Sequence, residues 1–392
     1  MERDVIIVGA GPAGASAAVA LAQRGVGNVL LLDRATFPRD KTCGSGLSPN
    51  AIVLADELGI GDSLRQQAVP IQSVKVVTPN GRSMVLSSNA AAVILLRREF
   101  DNLLLERARR LGVAFEGGVR VSGLIREGER VVGVRTADGR DHHARYVLCA
   151  DGAHSIFSTD PRPKHSISTL MGWWDGAEFE DGQIEMIFDR NVAPLYGWLF
   201  PEGGSRVNIG ICMEGQGDDG AKTERNVREV FARFLEDHYG SRLRGASQVG
   251  KLKGHPIVYT TWVGHNTTPG ALYLGEAARV THNATGEGIS QAMQSGIYAA
   301  QAVDAVLAGR AAEAAAWRTY VWQHRRRFTA GFLAGHALRA VVRSPVLEAV
   351  AAVYNHPAIR RSVVRLLGSA LAGASVREDP GSSRAARAAR AA

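Results

Sequence analysis

The sequence predicts an α/β fold on three observations. An apolar run, Asp4-Val5-Ile6-Ile7-Val8, leads directly into the glycine cluster Gly9-Ala10-Gly11-Pro12-Ala13-Gly14. A small-residue helical stretch from Ala15 to Arg24 stops at Gly25, and a second apolar run, Val29-Leu30-Leu31-Leu32, ends on Asp33. Strand-like alternation over 70–92 and 165–260 then gives way to helical patterning from 311 to about 373. Together these predict a Rossmann-type domain at the N-terminus, a mainly β-sheet domain inserted into it, and a C-terminal helical region.

Each element follows from its residues. In the first turn Gly9 permits the tight bend, Gly11 lets a diphosphate approach the backbone, and Gly14 lets helix and strand pack closely. Pro12 and Ala13 open the helix, whose positive end faces the same point. Asp33, followed by Arg34, stands where a carboxylate accepts hydrogen bonds from ribose hydroxyls. Arg97 to Leu111 reads as an amphipathic helix and 113–150 as a β-meander that ends in Tyr146-Val147-Leu148-Cys149-Ala150, with Val121 counted among the cofactor-binding candidates. A helix near 223–239 interrupts the second strand-rich stretch, and 272–303 returns to strand, turn and helix. The expected organisation is a nucleotide-binding domain from 1–69, 93–160 and 261–310, and a substrate domain from 70–92 and 161–260. Helices occupy 311–375, and the Ala/Arg/Ser/Gly-rich residues 376–392 form a disordered tail.

Composition excludes several classes. With 45% hydrophobic and 21% charged residues the chain is globular. Cys43, Cys149 and Cys212 are widely spaced and odd in number, and no signal peptide is evident, so a cytoplasmic protein without disulfides is expected. No apolar run approaches the ~20 residues of a membrane span, and no metal site is expected. The net charge of +8 is uneven: from Arg310 onward fourteen arginines face Glu313, Glu348, Glu378 and Asp379, a net +10, which leaves −2 for the first 309 residues. The basic excess lies outside the nucleotide-binding domain, which argues against a nucleic-acid enzyme and leaves contact with a membrane surface open.

Later stretches sharpen the cofactor. Lys41-Thr42-Cys43-Gly44-Ser45-Gly46-Leu47, Arg97-Arg98-Glu99-Phe100-Asp101, Asp151-Gly152-Ala153-His154-Ser155, Gly275-Glu276-Ala277-Ala278 and Thr285-Gly286-Glu287-Gly288-Ile289 resemble segments of the geranylgeranyl-reductase-like family. That family lies within the flavoprotein monooxygenase superfamily and has a glutathione-reductase-like fold. The resemblance, over roughly residues 1–375, implies bound FAD. By it, the Lys41–Gly44 loop passes beside the isoalloxazine ring, Arg97 reaches the phosphate or ribityl side, and Glu276 bonds the ribityl chain. Asp151 and Gly152 then touch the FAD region, and a helix starting near Gly286 directs backbone N–H groups at the ring. Cys43 reads equally as a pocket residue with a chemical role or as a small apolar filler. The chain departs from the family at Glu276 for aspartate, Arg279 for glycine, and His282-Asn283 for Asn-Pro; Cys43 of the loop and the departing His282 and Asn283 are the catalytic candidates. Ser158 stands where the family carries an arginine, which argues against a nicotinamide role at Asp151; with no second dinucleotide fingerprint, either NAD(P)H acts as a transient reductant in an open cleft or another carrier supplies the electrons.

Tyr196-Gly197-Trp198-Leu199-Phe200-Pro201, with Gly210 nine residues on, resembles a signature of the same group and implies a cavity for an apolar, isoprenoid-like chain. Alternation puts Tyr196, Trp198 and Phe200 on one strand face, and Trp174 is a further candidate for that wall. The expected activity is reduction of a carbon–carbon double bond by hydride from reduced FAD. Two rivals are an FAD-dependent hydroxylase of an aromatic or polyketide-type product and a non-catalytic flavin or lipid carrier. Arg325, Arg326, Arg327, Arg339, Arg343, Arg360, Arg361 and Arg365 fit either a membrane-surface helix or, the favoured reading, a solvated helical cap.

Overall fold

The computed structural model describes residues 2–158, 165–216, 226–260 and 262–354; the expected helical stretch 355–375 and the tail 376–392 lie outside them. β1 (Arg3–Val8) and β2 (Val29–Asp33) run parallel, Val5 opposite Val29 and Val8 opposite Leu32, with α1 (Pro12–Gln23) as their crossover. Their apolar side chains are buried on both faces, as in parallel sheets covered on both sides. β3 (Gly46–Leu47), α2 (Pro49–Glu57) and α3 (Gly61–Gln67) come next. The sequence reading passed over these two short helices, although Ser48 caps α2 by accepting from Ala51 N–H and Pro49 opens it.

β4 (Val69–Val77) and β5 (Ser83–Ile94) form an antiparallel pair that leaves the first sheet for the second. α4 (Arg97–Arg110) brings the chain back to β6 (Ala114–Gly117), parallel to β2. Only β7 (Val121–Glu127), β8 (Arg130–Thr136) and β9 (Asp141–Cys149) make the meander expected over 113–150. β6 instead completes a crossover onto the parallel edge, and β9 ends parallel to β1.

The second sheet holds β10 (His165–Asp175), β11 (Gln183–Ile187), β12 (Gly197–Gly203) and β13 (Arg206–Gln216). After α5 (Val227–Tyr239) come β14 (Ser247–Gly254) and β15 (Ile257–Tyr259). Its order is β14-β10-β13-β12-β11-β4-β5-β3, with β15 beside β10. α5 covers one face through Phe231 and Phe234, which pack on Trp174, Leu199 and Ile209. The chain then re-enters the first sheet by β16 (Thr267–Thr268) and β17 (Ala271–Tyr273), giving β16-β17-β9-β1-β2-β6.

α6 (Ile289–Leu307) packs on α1 so closely that a Cβ at Gly296 would overlap the Ala13 carbonyl. It starts at Ile289 rather than near Gly286, because Gly286 (φ +64°) still belongs to the turn. α7 (Glu313–Arg343) docks on β17 by the Tyr320 hydroxyl donating to Tyr273 O (2.7 Å), and α8 (Val346–Val353) follows. Among the described residues no helix is long and apolar enough to cross a membrane.

Candidate active site

A cavity of about 1410 Å³ opens between the two sheets and draws its walls from both. Gly9 (φ +101°) turns the chain out of β1 where a Cβ would overlap Ala150 O, and a Cβ at Gly14 would overlap Gly9 O. Gly9, Gly11, Pro12 and Ala13 line the cavity, whereas Gly14 serves the helix–strand contact beneath it. α1 has no side chain capping its first N–H groups, so its positive end is open to an anion. Asp33 pins the turn by accepting from Ala10 N (2.7 Å) and Ala35 N (2.8 Å), and it lines the cavity with Arg34 and Val121.

The charges beside this turn leave a net positive wall. Asp101 is fully buried and takes a bidentate bond from Arg97 (2.7 and 2.8 Å) and an ion pair from Arg39 (3.1 Å). Burial works against the Arg97 charge, but Asp101 outweighs it and raises the guanidinium pKa. Two arginines on one carboxylate leave one positive charge. Arg39 Nη1 is buried without a hydrogen-bond partner among the described residues, and Nη2 would lie 3.6 Å from a Cβ placed at Gly11. An unpaired buried donor at the fingerprint glycine fits a diphosphate. Arg39 was not among the residues expected from sequence; it sits only two positions before Lys41.

Toward the centre, Lys41 and Glu276 influence each other. Burial lowers the Lys41 pKa against the pull of Glu276, and burial raises that of Glu276 against the pull of Lys41. His255, ring to ring with His154 at 5.5 Å, is lowered to about 4 by burial and by Lys41, and is therefore neutral near pH 7. Asp151 accepts from Ile156 N (3.1 Å), and Asp151 and Gly152 line the cavity. Gly275 and the turn from Thr285 to Ile289 close this side, with Gly288 as an N-cap that has no side-chain hydrogen bond. The α6 N–H groups thus face the cavity, where a helix N-terminus stabilises developing negative charge. Glu287, also unanticipated, holds the turn to the Lys41–Leu47 loop: its carboxylate accepts from Ser48 Oγ, Ser290 Oγ (2.6 Å) and Gln291 Nε2 (3.3 Å). These residues fit FAD. Bound there, the diphosphate would lie at α1 and Arg39, and the ring near the Lys41–Gly44 loop and the α6 N-terminus.

The far arm is apolar. Tyr196, Trp198 and Phe200 form one wall, with successive ring centroids 6.4 and 6.0 Å apart, and Ile71, Met171, Met186 and Cys212 lie around them. Trp198 Nε1 donates to Asn208 Oδ1 (2.7 Å), whose Nδ2 donates to Gly172 O (3.1 Å). A Cβ at Gly210 would overlap the Trp198 ring, which explains the spacing of the aromatic signature to its glycine. Gly44 lies against the same wall, where a Cβ would come within 3.0 Å of Phe200. Tyr196 O–H donates to Thr285 O (2.5 Å), joining wall and turn, and burial keeps its pKa well above the ordinary value. Cys43 stands between turn and wall as a free thiol; Cys212 is pushed up to about 12 by burial and stays protonated.

Three expected site residues point elsewhere. Trp174 faces the opposite side of β10 from Met171 and packs on Phe231 (6.3 Å), as the two-residue strand period requires. His282 and Asn283 do not line the cavity. His282 Nε2 bonds Gly331 O (2.9 Å), its Nδ1 accepts from Thr285 N (3.2 Å), and Asn283 Nδ2 donates to Phe332 O (3.2 Å). The turn presents Thr281 and residues 285–288 to the cavity, so these two side chains brace it on α7 instead of meeting a substrate.

Known proteins identify the family. A family model described as an FAD binding domain matches residues 2–334. A menaquinone reductase of Mycobacterium tuberculosis is 30% identical over 326 residues, 77% of this chain and 77% of its own length. A digeranylgeranylglycerophospholipid reductase of Methanococcoides burtonii is 28% identical over 316 residues, 76% of this chain and 74% of its own. The fold is shared with a geranylgeranyl bacteriochlorophyll reductase-like protein of Thermoplasma acidophilum, at a TM-score of 0.77 and 22% identity over 93% of this chain and 100% of that one. It is also shared with a flavin-dependent brominase, at a TM-score of 0.74 and 22% identity over 94% of each. The chain belongs to the FAD-binding-domain family and, within it, to the geranylgeranyl-reductase-like FAD-dependent oxidoreductases.

Proposed function

We propose that this oxidoreductase reduces a carbon–carbon double bond of an apolar, isoprenoid-like substrate, with NAD(P)H as a transient electron donor. The observation that carries the reading is the aromatic wall of Tyr196, Trp198 and Phe200, which lines an apolar arm of the cavity continuous with the residues that fit FAD. The names of the menaquinone and digeranylgeranylglycerophospholipid reductases support the same substrate class. FAD supplies the hydride when reduced.

The chain's own residues do the rest. Arg39, Arg97 and the α1 N-terminus hold the diphosphate, and Asp33 the ribose. The α6 N-terminus favours the anionic, reduced form of the cofactor. The apolar arm excludes water and holds the double bond by packing. The second hydrogen arrives as a proton, and Cys43, on the loop between turn and wall, is the group we assign to deliver it; water then reprotonates the thiolate. His282 and Asn283 lie behind the turn and lend the hydroxylase alternative no support. We place its activity in the cytoplasm.

The test is anaerobic incubation with NADPH and a polyprenyl quinone or lipid, followed by mass spectrometry. A product two hydrogens heavier is expected, with the reducing equivalents accounted for by NADPH consumed. NADPH oxidation that requires oxygen and yields a product one oxygen heavier would replace this reading with the hydroxylase.

A further inference from the structure

The outward face of α7 carries no part of the site, yet its composition is unlike an ordinary solvated helix. The inner face is buried through Trp317, Tyr320, His324, Phe328 and Phe332. On the outer face Trp322 is 55% exposed and Leu333, three turns on, is 65% exposed. Arg318, Arg325 and Arg326 share that stripe at helical spacing and are exposed. The Arg326 guanidinium lies over the Trp322 ring (5.1 Å), and Arg325 lies over Trp262 (5.3 Å), itself 50% exposed on the neighbouring loop.

α7 itself is poor in acids. Glu313, at the first turn of α7, is its sole carboxylate against six arginines. Among the described residues no carboxylate pairs with Arg318, Arg325 or Arg326, while Arg339 and Arg343, near the end of the helix, both reach Glu214. Arginines at the water level, tryptophans beneath them and an exposed leucine on the same stripe are the chemistry of the interface of an anionic bilayer. A solvated cap needs the arginines but gains nothing from two exposed tryptophans and a leucine.

We propose that this face of α7, with Trp262, is the surface on which the protein lies against an anionic lipid membrane. The inference goes beyond the reductase reading and stands on the surface alone. Charge complementarity chooses the partner: a lipid surface with negative headgroups, onto which the arginines settle while Trp322 and Leu333 enter the acyl boundary. The opposite face of α7 braces the FAD-facing turn through His282 and Asn283.

The test is flotation of the full-length, FAD-loaded protein with vesicles of phosphatidylcholine, with and without phosphatidylglycerol, at low and high salt. Binding is expected only with the anionic lipid and is weakened by salt. Arg318→Gln/Arg325→Gln/Arg326→Gln lowers partitioning on the order of a hundredfold at low salt. Trp322→Ala/Leu333→Ser lowers it at either salt. All five positions are exposed, and retained FAD absorbance in the same tubes reports intact fold. Equal binding to both vesicle types, no binding to either, or binding unchanged in both variants overturns the proposal. So does self-association of the chain that these variants abolish without any vesicle binding. Flotation uses neither reductant nor substrate, so its failure leaves the reductase reading standing, and failure of the reductase assay leaves this one.

Discussion

Replacing Gly210 by alanine probes the aromatic wall through a residue that touches nothing polar. The new Cβ would overlap the outer carbons of the Trp198 indole and lie 2.8 Å from Met171 Cβ. The indole has little room to yield: Phe200 flanks it, Gly44 lies against its Nε1, and that nitrogen is bonded to Asn208. Displacing the ring breaks this bond and leaves Asn208 Oδ1 unpaired in a fully buried position. Overpacking costs about 1–3 kcal/mol, and the stranded acceptor about 1–3 more. A total near 4 kcal/mol lowers the melting midpoint by roughly 5–10 °C in a chain of this size. Differential scanning fluorimetry reads that change. FAD affinity stays at the wild-type value, because Gly210 lies beneath the apolar arm, while KM for an apolar substrate rises. A midpoint within about 1 °C of wild type would refute the assignment of this glycine to seating Trp198.

Three further outcomes follow from the geometry. Arg39→Met removes a charge-assisted bond to the diphosphate and weakens FAD binding roughly tenfold to a hundredfold in a fluorescence titration; unchanged affinity would send the phosphates elsewhere. Phe200→Leu raises KM for the apolar substrate, whereas Trp174→Leu lowers the melting midpoint and leaves KM alone; the reverse pattern would return Trp174 to the cavity. His324 is fully buried, and burial holds its pKa at about 4, below the ordinary 6.5. The unfolded chain therefore binds the proton first, so stability falls as pH drops from 6.5 toward 4, by about 3 kcal/mol for this group. His324→Leu flattens that part of the melting-midpoint profile, and an unaltered profile would refute the assignment.

The glycine fingerprint, Asp33, the Lys41–Leu47 loop and the turn at Gly286–Gly288 were all legible in the sequence. Their geometry is local: positive φ, close backbone approach and helix entry are properties of a few adjacent residues. The aromatic wall was legible for a similar reason, since the two-residue strand period sets which of Tyr196, Trp198 and Phe200 share a face. That period states only that faces alternate. Which face of β10 meets the cavity depends on where α5 lies, and α5 put Trp174 outside. His282 and Asn283 drew notice because they depart from the family's pattern; only α7, about fifty residues downstream, shows that their partners are Gly331 O and Phe332 O. Arg39 likewise gained meaning through Asp101 and Gly11, two segments that come together only in the folded chain. Short-range backbone demands are written in neighbouring residues. The direction of a side chain, and the partner waiting for it, is decided by how distant elements pack.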